Sequence, residues 1–495
     1  MFNALRVVLI ALAFCFYHRF HRYRVFQKVP ISCQPPTLYL HKDPILGIDL
    51  FILIVKHRKI HQSTQVALQR HGKYGRTYQA LSLGRTTIHT IHPENIKAVY
   101  GSNWKDWGVA RLGAMEPFCG HGFITVDGEE EWKRYRKMLA PFLAESNVLE
   151  LATLELTLEK SLKRLPKTGE AVDFSPLLDE MFLDTALQWI LGSNPDSELE
   201  KESTSRQMNL HEFYTALCSC LPWMGARMAF GAVARSIPNK KWKADIQIVH
   251  DFVDRQIDIA MRKLSVEPEE KPTTKQMNLV DILVNETNNR HEIRSQILQA
   301  ILVTQDTTAI LLSNAIFNLS RHPSIWESLR EEVLALEQPL TPANLRKLTL
   351  LQNVLKETLR LQPPFANLAR TAMTDTILPT GGGSDGSSPI YVFAGSTVAT
   401  SFYSLHRNPE VYGDNVEEFE PDRWNRIFPG RWDFMGFGGG PRGCAGQYKA
   451  LTEASFVLAK LAQMFERIES RDDRDWAGEV KLIARNANGC KVAVY

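Results

Sequence analysis

Phe437–Gly446 reads FGGGPRGCAG, and two chemistries compete for it. Gly438, Gly440 and Gly443 satisfy G-x-G-x-x-G, the spacing of a dinucleotide-binding turn. The same stretch carries Arg442 and a single Cys444 among glycines, which suits a loop offering a thiolate to a metal. A dinucleotide turn needs a buried strand ahead of it and the rest of a β-α-β unit behind it. Ahead lies DRWNRIFPGRWDFMG (422–436), broken by Pro429, Gly430 and Gly436 and carrying Arg423, Arg426 and Arg431. Behind, residues 447–495 are too few to complete such a domain. The phosphate reading fails on both sides. The metal reading accounts for each residue type. Backbone N–H groups of a glycine-rich loop can point at a ligating sulfur and tune its electron donation. Gly446 lets the next helix start close against a flat cofactor, Arg442 can pair with a carboxylate on the cofactor rim, and Phe437 would shield the sulfur. An inert buried thiol is the default for a lone cysteine, but it leaves the arginine and the glycines unexplained.

Composition narrows the class. A chain of 495 residues can bury one large core or a few smaller ones, and 44% hydrophobic with 23% charged residues is ordinary for a globular protein. Fifty-eight Lys and Arg against 55 Asp and Glu give +3, too near neutral to suggest nucleic acid as a partner. The seven cysteines (15, 33, 119, 218, 220, 444 and 490) contain no C-x-x-C pair, which argues against a disulfide scaffold or a zinc site and for a reducing compartment.

The first residues differ in texture. ALRVVLIALAFCFY (4–17) is an apolar run followed by Arg19, Arg22 and Arg24. A cleaved secretory peptide would place its positive charge before the run. Basic residues after it predict an uncleaved anchor over 1–24 with the catalytic body, 25–495, on the cytosolic side. The run is short for a span, and a surface-lying amphipathic helix would serve the same end. The sequons at Asn285 and Asn318 should then go unused.

Along the body, long helical patterns dominate to about residue 370. LGIDLFILIV (46–55) is too short to span and reads as a core or membrane-contacting segment. LATLELTLEKSLKRL (151–165), IWESLREEVLAL and LTLLQNVLKETLRL repeat apolar residues every three to four positions. The longest helix is expected over Glu292–Ser320, stopped by Pro323 and apolar on nearly all faces, so it should cross the core. TGGGSDGSSP (380–389) is flanked by strand-like runs, which fits a small hairpin within one domain. A final helix is expected over Tyr448–Phe465. No alternating β-α pattern is present, so the fold class is mainly α with small β-sheets.

FGGGPRGCAG fits F-x-x-G-x-R-x-C-x-G without a mismatch and resembles the haem-ligand loop of the cytochromes P-450, with Cys444 as the iron ligand. KETLR supplies Glu357 and Arg360 as that family's E-x-x-R pair, and FEPDRW supplies Arg423, which in the family joins them in a buried ion network. Alone, E-x-x-R would be a solvated salt bridge. Trp132 and Arg136 form the W-x-x-x-R that contacts a haem propionate, with Arg370 and Arg442 implied beside them. VTQDTT (303–308) carries the acid–threonine pair, Asp306 and Thr307, implied to feed protons to the site. Here the chain departs from the family: Val303 and Thr304 replace two small residues. Thr304 can loosen the helix by bonding a carbonyl one turn back, or it narrows the pocket.

The resemblance covers roughly residues 30–495 and implies the cytochrome P-450 fold as a single large domain behind the anchor. It also implies haem (Fe-protoporphyrin IX) as cofactor, with electrons from NADPH through a cytochrome P-450 reductase. The expected activity is a monooxygenase inserting one oxygen atom into a C–H bond, and the family default for the anchor is the endoplasmic reticulum. LPTGGGSDGSSPIYVFAGSTV (378–398), HRNPEVYGDNVEEFEPDRW (406–424) and GFITVDGEEEWKRYRKMLAPFL (122–143) are similar to the fungal membrane-bound n-alkane and fatty-acid hydroxylases. The same branch style serves fungal secondary metabolism on polyketide- or fatty-acid-derived chains. VARLGAMEPF (109–118), FYTALCSCLPWMGARMAF (213–230) and PFANL (364–368) are expected to line the pocket, which predicts an apolar, lipid-like substrate. A haem-thiolate isomerase or dehydratase that uses no dioxygen, and a non-enzymatic haem protein, are the alternatives. Asp306 and Thr307 weigh against the first.

Overall fold

The computed structural model describes residues 29–144, 151–192, 210–266 and 278–495. The expected anchor over 1–24 lies outside the described residues. The helices that build the core and the site include, in chain order, α1 (Ile48–Lys59), α2 (Glu129–Leu139), α3 (Phe174–Leu191), α4 (Leu210–Phe230), α5 (Lys240–Val266), α6 (Arg290–Thr304), α7 (Thr307–Leu319), α8 (Pro323–Leu334), α9 (Thr349–Leu361) and α10 (Gln447–Met464). The strands that bear on the site are β1 (Thr37–Leu38), β2 (Thr77–Ser82), β3 (Arg85–Thr90), β4 (Trp107–Gly108), β5 (Asn367–Ala372), β6 (Thr376–Gly382), β7 (Ser388–Val392), β8 (Thr397–Ser401), β9 (Gly478–Val480) and β10 (Ala484–Asn486).

The sequence explains the ends and faces of these helices. In α9, Leu351, Val354, Leu355 and Leu359 recur at helical spacing and are buried. The helix stops where Pro363 bars the residue before it from helical backbone. In α10, Ala454, Val457, Leu458 and Leu461 form the same kind of stripe. Asp173 caps α3, its carboxylate accepting from Ser175 N–H at 3.0 Å.

The helix expected over Glu292–Ser320 is two helices. α6 ends at Thr304 and α7 begins at Thr307, with Asp306 at φ −123° and ψ −21° between them. The interruption sits between two hydrophobic cores. Ile293, Ile297, Leu298 and Ile301 of α6 pack with α2, α4 and α5. Leu312, Ile316 and Leu319 of α7 pack with α3, α9 and α10.

A six-stranded sheet runs β1-β2-β3-β8-β5-β4, mixed in direction, with Arg370 of β5 opposite Val398 of β8. β6 and β7 pair antiparallel across the Gly/Ser stretch, as its composition predicts, whereas β8 leaves that hairpin for the main sheet. β9 and β10 form a second hairpin, and Arg485 of β10 bonds to Asp179 of α3.

α1 is the segment read as core or membrane contact. It buries Leu50, while Ile48 and Ile52 stay exposed beside Leu40, Ile45 and Leu46. Its last turn carries Lys56, Arg58 and Lys59.

Candidate active site

The loop 437–446 leads into α10 and delivers Cys444 to the main cavity, which has a volume of about 240 Å³. The loop is locked by its own backbone: Cys444 N–H donates to Phe437 O at 2.9 Å and Gly443 N–H to Gly440 O at 3.0 Å. Gly440 has φ +70°, and a Cβ there would lie 1.7 Å from Tyr100 O, so only glycine fits. Gly446 differs. A Cβ there would meet nothing within 4 Å, because it would project into the cavity.

Cys444 is exposed, and it lines the cavity. Burial pushes its thiol above the ordinary value, while Gly446 N–H and the Arg136 guanidinium pull the other way. A bound metal cation would complete that pull.

Around the cavity wall four guanidiniums converge: Arg111, Arg136, Arg370 and Arg442. Among the described residues none of them forms an ion pair with a carboxylate. Arg442 donates to Val126 O at 2.9 Å and Asp127 O at 2.8 Å, and its Nε is buried without a partner. Its guanidinium carbon lies 5.0 Å from the Trp132 ring centre, and that of Arg136 lies 5.9 Å away. Arg370 stacks over Tyr100 at 4.7 Å. Burial lowers all four, and Arg111 and Arg442 fall to about 10 because neighbouring arginines repel them as well. A cluster of buried cations that lacks anions is a receptor for a carboxylate-bearing group.

Part of the cavity wall comes from α6 and α7. Val303, Thr304, Thr307 and Thr308 line it. Thr304 Oγ1 donates to Ala300 O at 2.8 Å, one turn back, as its hydroxyl chemistry suggests, and Thr307 Oγ1 donates to Val303 O at 3.0 Å. The remaining lining is largely apolar, with Phe123, Ile124, Phe365 and Leu368 among it.

The residues singled out in the sequence thus sort into three places. Trp132, Arg136, Thr307, Arg370, Phe437, Arg442, Cys444 and Gly446 share the main cavity. Asp306 does not: it lines a smaller cavity on the other side of the interrupted helix. Glu357, Arg360 and Arg423 stand behind the wall, in the core. Arg360 gives two 2.8 Å bonds to Glu357 and bonds the carbonyls of His406, Val416 and Glu418. Arg423 Nε reaches Glu357 at 3.3 Å, and Trp424 Nε1 at 3.0 Å. Glu357 and Arg360 are fully buried.

Two expectations about the lining change. The segment 213–230 lies on α4 and contributes Tyr214, Cys218, Leu221 and Pro222 to the smaller cavity, not to the main one. Arg111 belongs to the cation cluster although its segment, VARLGAMEPF, reads as apolar. A single arginine in such a run carries no spacing signal.

The family model for cytochrome P450 matches residues 44–489. The chain belongs to the cytochrome P-450 family. It is 32% identical to the cytochrome P-450 monooxygenase iccC of Talaromyces variabilis, over 94% of this chain and 92% of that one. It is 33% identical to the cytochrome P-450 monooxygenase himC of Aspergillus japonicus, over 93% and 83%. It is 34% identical to cytochrome P-450 52A3-A of Candida maltosa, over 90% and 88%. Family and relatives make the chain a monooxygenase of fungal type whose cofactor is haem and whose electrons come from NAD(P)H through a redox partner. The site fits that group: a thiol faces the cavity, a glycine leaves room where a side chain would intrude, and unpaired guanidiniums await carboxylates.

Proposed function

We propose that this cytochrome P-450 hydroxylates an apolar, aliphatic, lipid-like molecule drawn from a membrane. Its electrons come from NADPH–cytochrome P-450 reductase, and Cys444 is the iron ligand. Bound haem supplies dioxygen activation, and thiolate ligation favours O–O cleavage. The chain's own residues do the rest. Arg111, Arg136, Arg370 and Arg442 would hold the carboxylates on the rim of the group. Trp132 packs under the guanidiniums of Arg136 and Arg442 and keeps them aimed. Phe437 covers the sulfur from the side. Thr307 holds a hydroxyl at the cavity face of α7 and passes a proton from it. Glu357, Arg360 and Arg423 tie α9 to the segment 406–423 and hold up the wall without touching the chemistry.

The apolar lining carries the substrate reading. Phe123, Ile124, Phe365 and Leu368 offer contact but no directed polar group, which selects for hydrocarbon and excludes water. The exposed apolar residues of α1 and its neighbours, with basic residues at its end, support a membrane-bound setting, and the anchor over 1–24 belongs to the same proposal. The source of the hydrocarbon chain is either an alkane or fatty acid, or a polyketide- or fatty-acid-derived metabolite.

Titration of the full-length haem protein with alkanes, fatty acids and polyketide-like lipids tests this. A saturable spin-state shift with one class, and label from dioxygen in its hydroxylated product, would identify it. A product carrying no such label would point to a haem-thiolate isomerase or dehydratase. No response to any apolar ligand would sink the substrate reading.

A further inference from the structure

The stretch 120–128 connects a short helix, Leu112–Cys119, to α2 and has no helix or strand of its own. It carries Phe123 and Ile124, two of the apolar residues of the main cavity. One side chain of the core helix folds it: Gln299 of α6, which has no exposed surface. Gln299 Oε1 accepts from Ile124 N–H at 2.8 Å, and its Nε2 donates to Cys119 O at 3.0 Å, Gly120 O at 3.2 Å and Thr125 Oγ1 at 3.1 Å. Thr125, equally buried, donates its hydroxyl to Gly120 O at 2.9 Å and accepts from Gly122 N–H at 3.0 Å. The amide passes so close that a Cβ at Gly122 would lie 2.4 Å from Nε2. A buried polar network with its groups satisfied holds one shape.

Neighbouring backbone is held by other side chains. Arg111 donates to Ile124 O at 3.3 Å, and Arg442 to the carbonyls of Val126 and Asp127. Arg227 of α4 donates to Ala114 O at 2.9 Å, and His250 of α5 to Phe118 O at 2.7 Å. Gln299 is thus the member of this set that reaches both ends of the turn bearing Phe123 and Ile124. It does not itself line the main cavity, whereas Ala300 and Val303 of the same helix do.

We propose that Gln299 is a specificity-determining positioning residue: through its amide it sets how far Phe123 and Ile124 reach into the cavity, and so which chain fits there. The inference rests on the reading that the main cavity takes an apolar chain. Removing the amide leaves Ile124 N–H and Cys119 O without their Gln299 bonds, and buried groups that lose partners draw the backbone toward new ones. The free space beside Phe123 and Ile124 is the cavity, so a loosened turn changes the cavity's shape. Chain length and the carbon presented to the site then change together, while the groups that do the chemistry stay where they are.

The test is a spin-state titration of the full-length haem protein with two series of increasing chain length, n-alkanes and fatty acids. In wild type the affinity should peak at one length. Gln299→Leu, close in size but without the amide, should flatten that peak and weaken the best ligand by about tenfold, the scale of one misfitted methylene in an apolar pocket. With reductase, KM should rise in step, kcat at saturation should hold, and hydroxylation should spread over more carbons. Thr125→Val loosens the same turn from its other end and should shift the profile the same way, adding little to Gln299→Leu in the double variant. If Gln299→Leu takes up no haem, the Thr125→Val profile decides. Gln296→Leu is the control: this buried amide of α6 makes one 3.4 Å bond to His121 O, and its Oε1 has no partner. Its profile should match wild type. An unchanged length profile in Gln299→Leu, or the same change in Gln296→Leu, would overturn the assignment while leaving the apolar-chain reading intact. Wild-type protein that responds to neither series would instead sink that reading, and the inference with it.

Discussion

Asp306 and Thr307 are consecutive residues that line different cavities, the acid facing the Asp179–Arg485 pair and the hydroxyl facing Cys444. The break between α6 and α7 separates them. In an unbroken helix, adjacent side chains diverge by about a third of a helical turn. Here the divergence spans two separate cavities.

Thr307→Val should therefore lower kcat by about 10²-fold, the scale of positioned proton transfer. The shape of the side chain is kept, so the affinity for an apolar ligand, read from the spin-state titration, should change by less than about twofold. A variant with wild-type turnover would remove Thr307 from the relay.

The same acid has a consequence for stability. An unfolded aspartate releases its proton near pH 4, whereas folded Asp306 holds one until about pH 7. The native state thus binds more protons between those values, and stability falls as pH rises through that window. Asp306→Asn abolishes this dependence. Thermal melts should show the variant more stable than wild type at pH 8, with the difference fading toward pH 4.

Glu357 accepts bonds from Arg360, Arg423, Trp424 and the Glu420 backbone in a fully buried setting. Glu357→Ala leaves the buried Arg360 guanidinium without its carboxylate, at a cost of about 3–5 kcal/mol, while Arg423 keeps Glu420. Denaturant unfolding should show that loss even in protein free of haem. An unchanged midpoint would mean that the network is not structural.

Two glycines of one loop should behave oppositely. Gly440→Ala drives a methyl into Tyr100 O from a left-handed backbone and should destabilise the fold itself. Gly446→Val meets no protein atom at Cβ, so the polypeptide should fold normally and yet take up little haem. Unfolding midpoints and pigment content, measured on both, separate the two effects.

Much of this was legible in the chain because short spacings fix local geometry. The arginine-glycine-cysteine loop, the i,i+3 pair Glu357 and Arg360, and the i,i+4 pair Trp132 and Arg136 all declare themselves within a few residues. What stayed hidden depends on contacts distant in sequence. Arg111 joins Arg370 and Arg442 only after the sheet and the loop come together, and nothing beside it in VARLGAMEPF marks it. The 213–230 helix is apolar enough for a substrate pocket, but packing places it against the smaller cavity. VTQDTT carries a threonine able to bend a helix, yet no rule of spacing says that Asp306 will turn away from Thr307.

The claim on which the rest stands is that Cys444 supplies a thiolate to haem iron. The direct measurement is the carbon monoxide difference spectrum of the reduced, detergent-solubilised, full-length protein, taken beside Cys444→Ala. The account predicts the red-shifted Soret band of thiolate-ligated haem in wild type and its loss in the variant. A wild-type protein that carries haem but shows only the histidine-type band would contradict it.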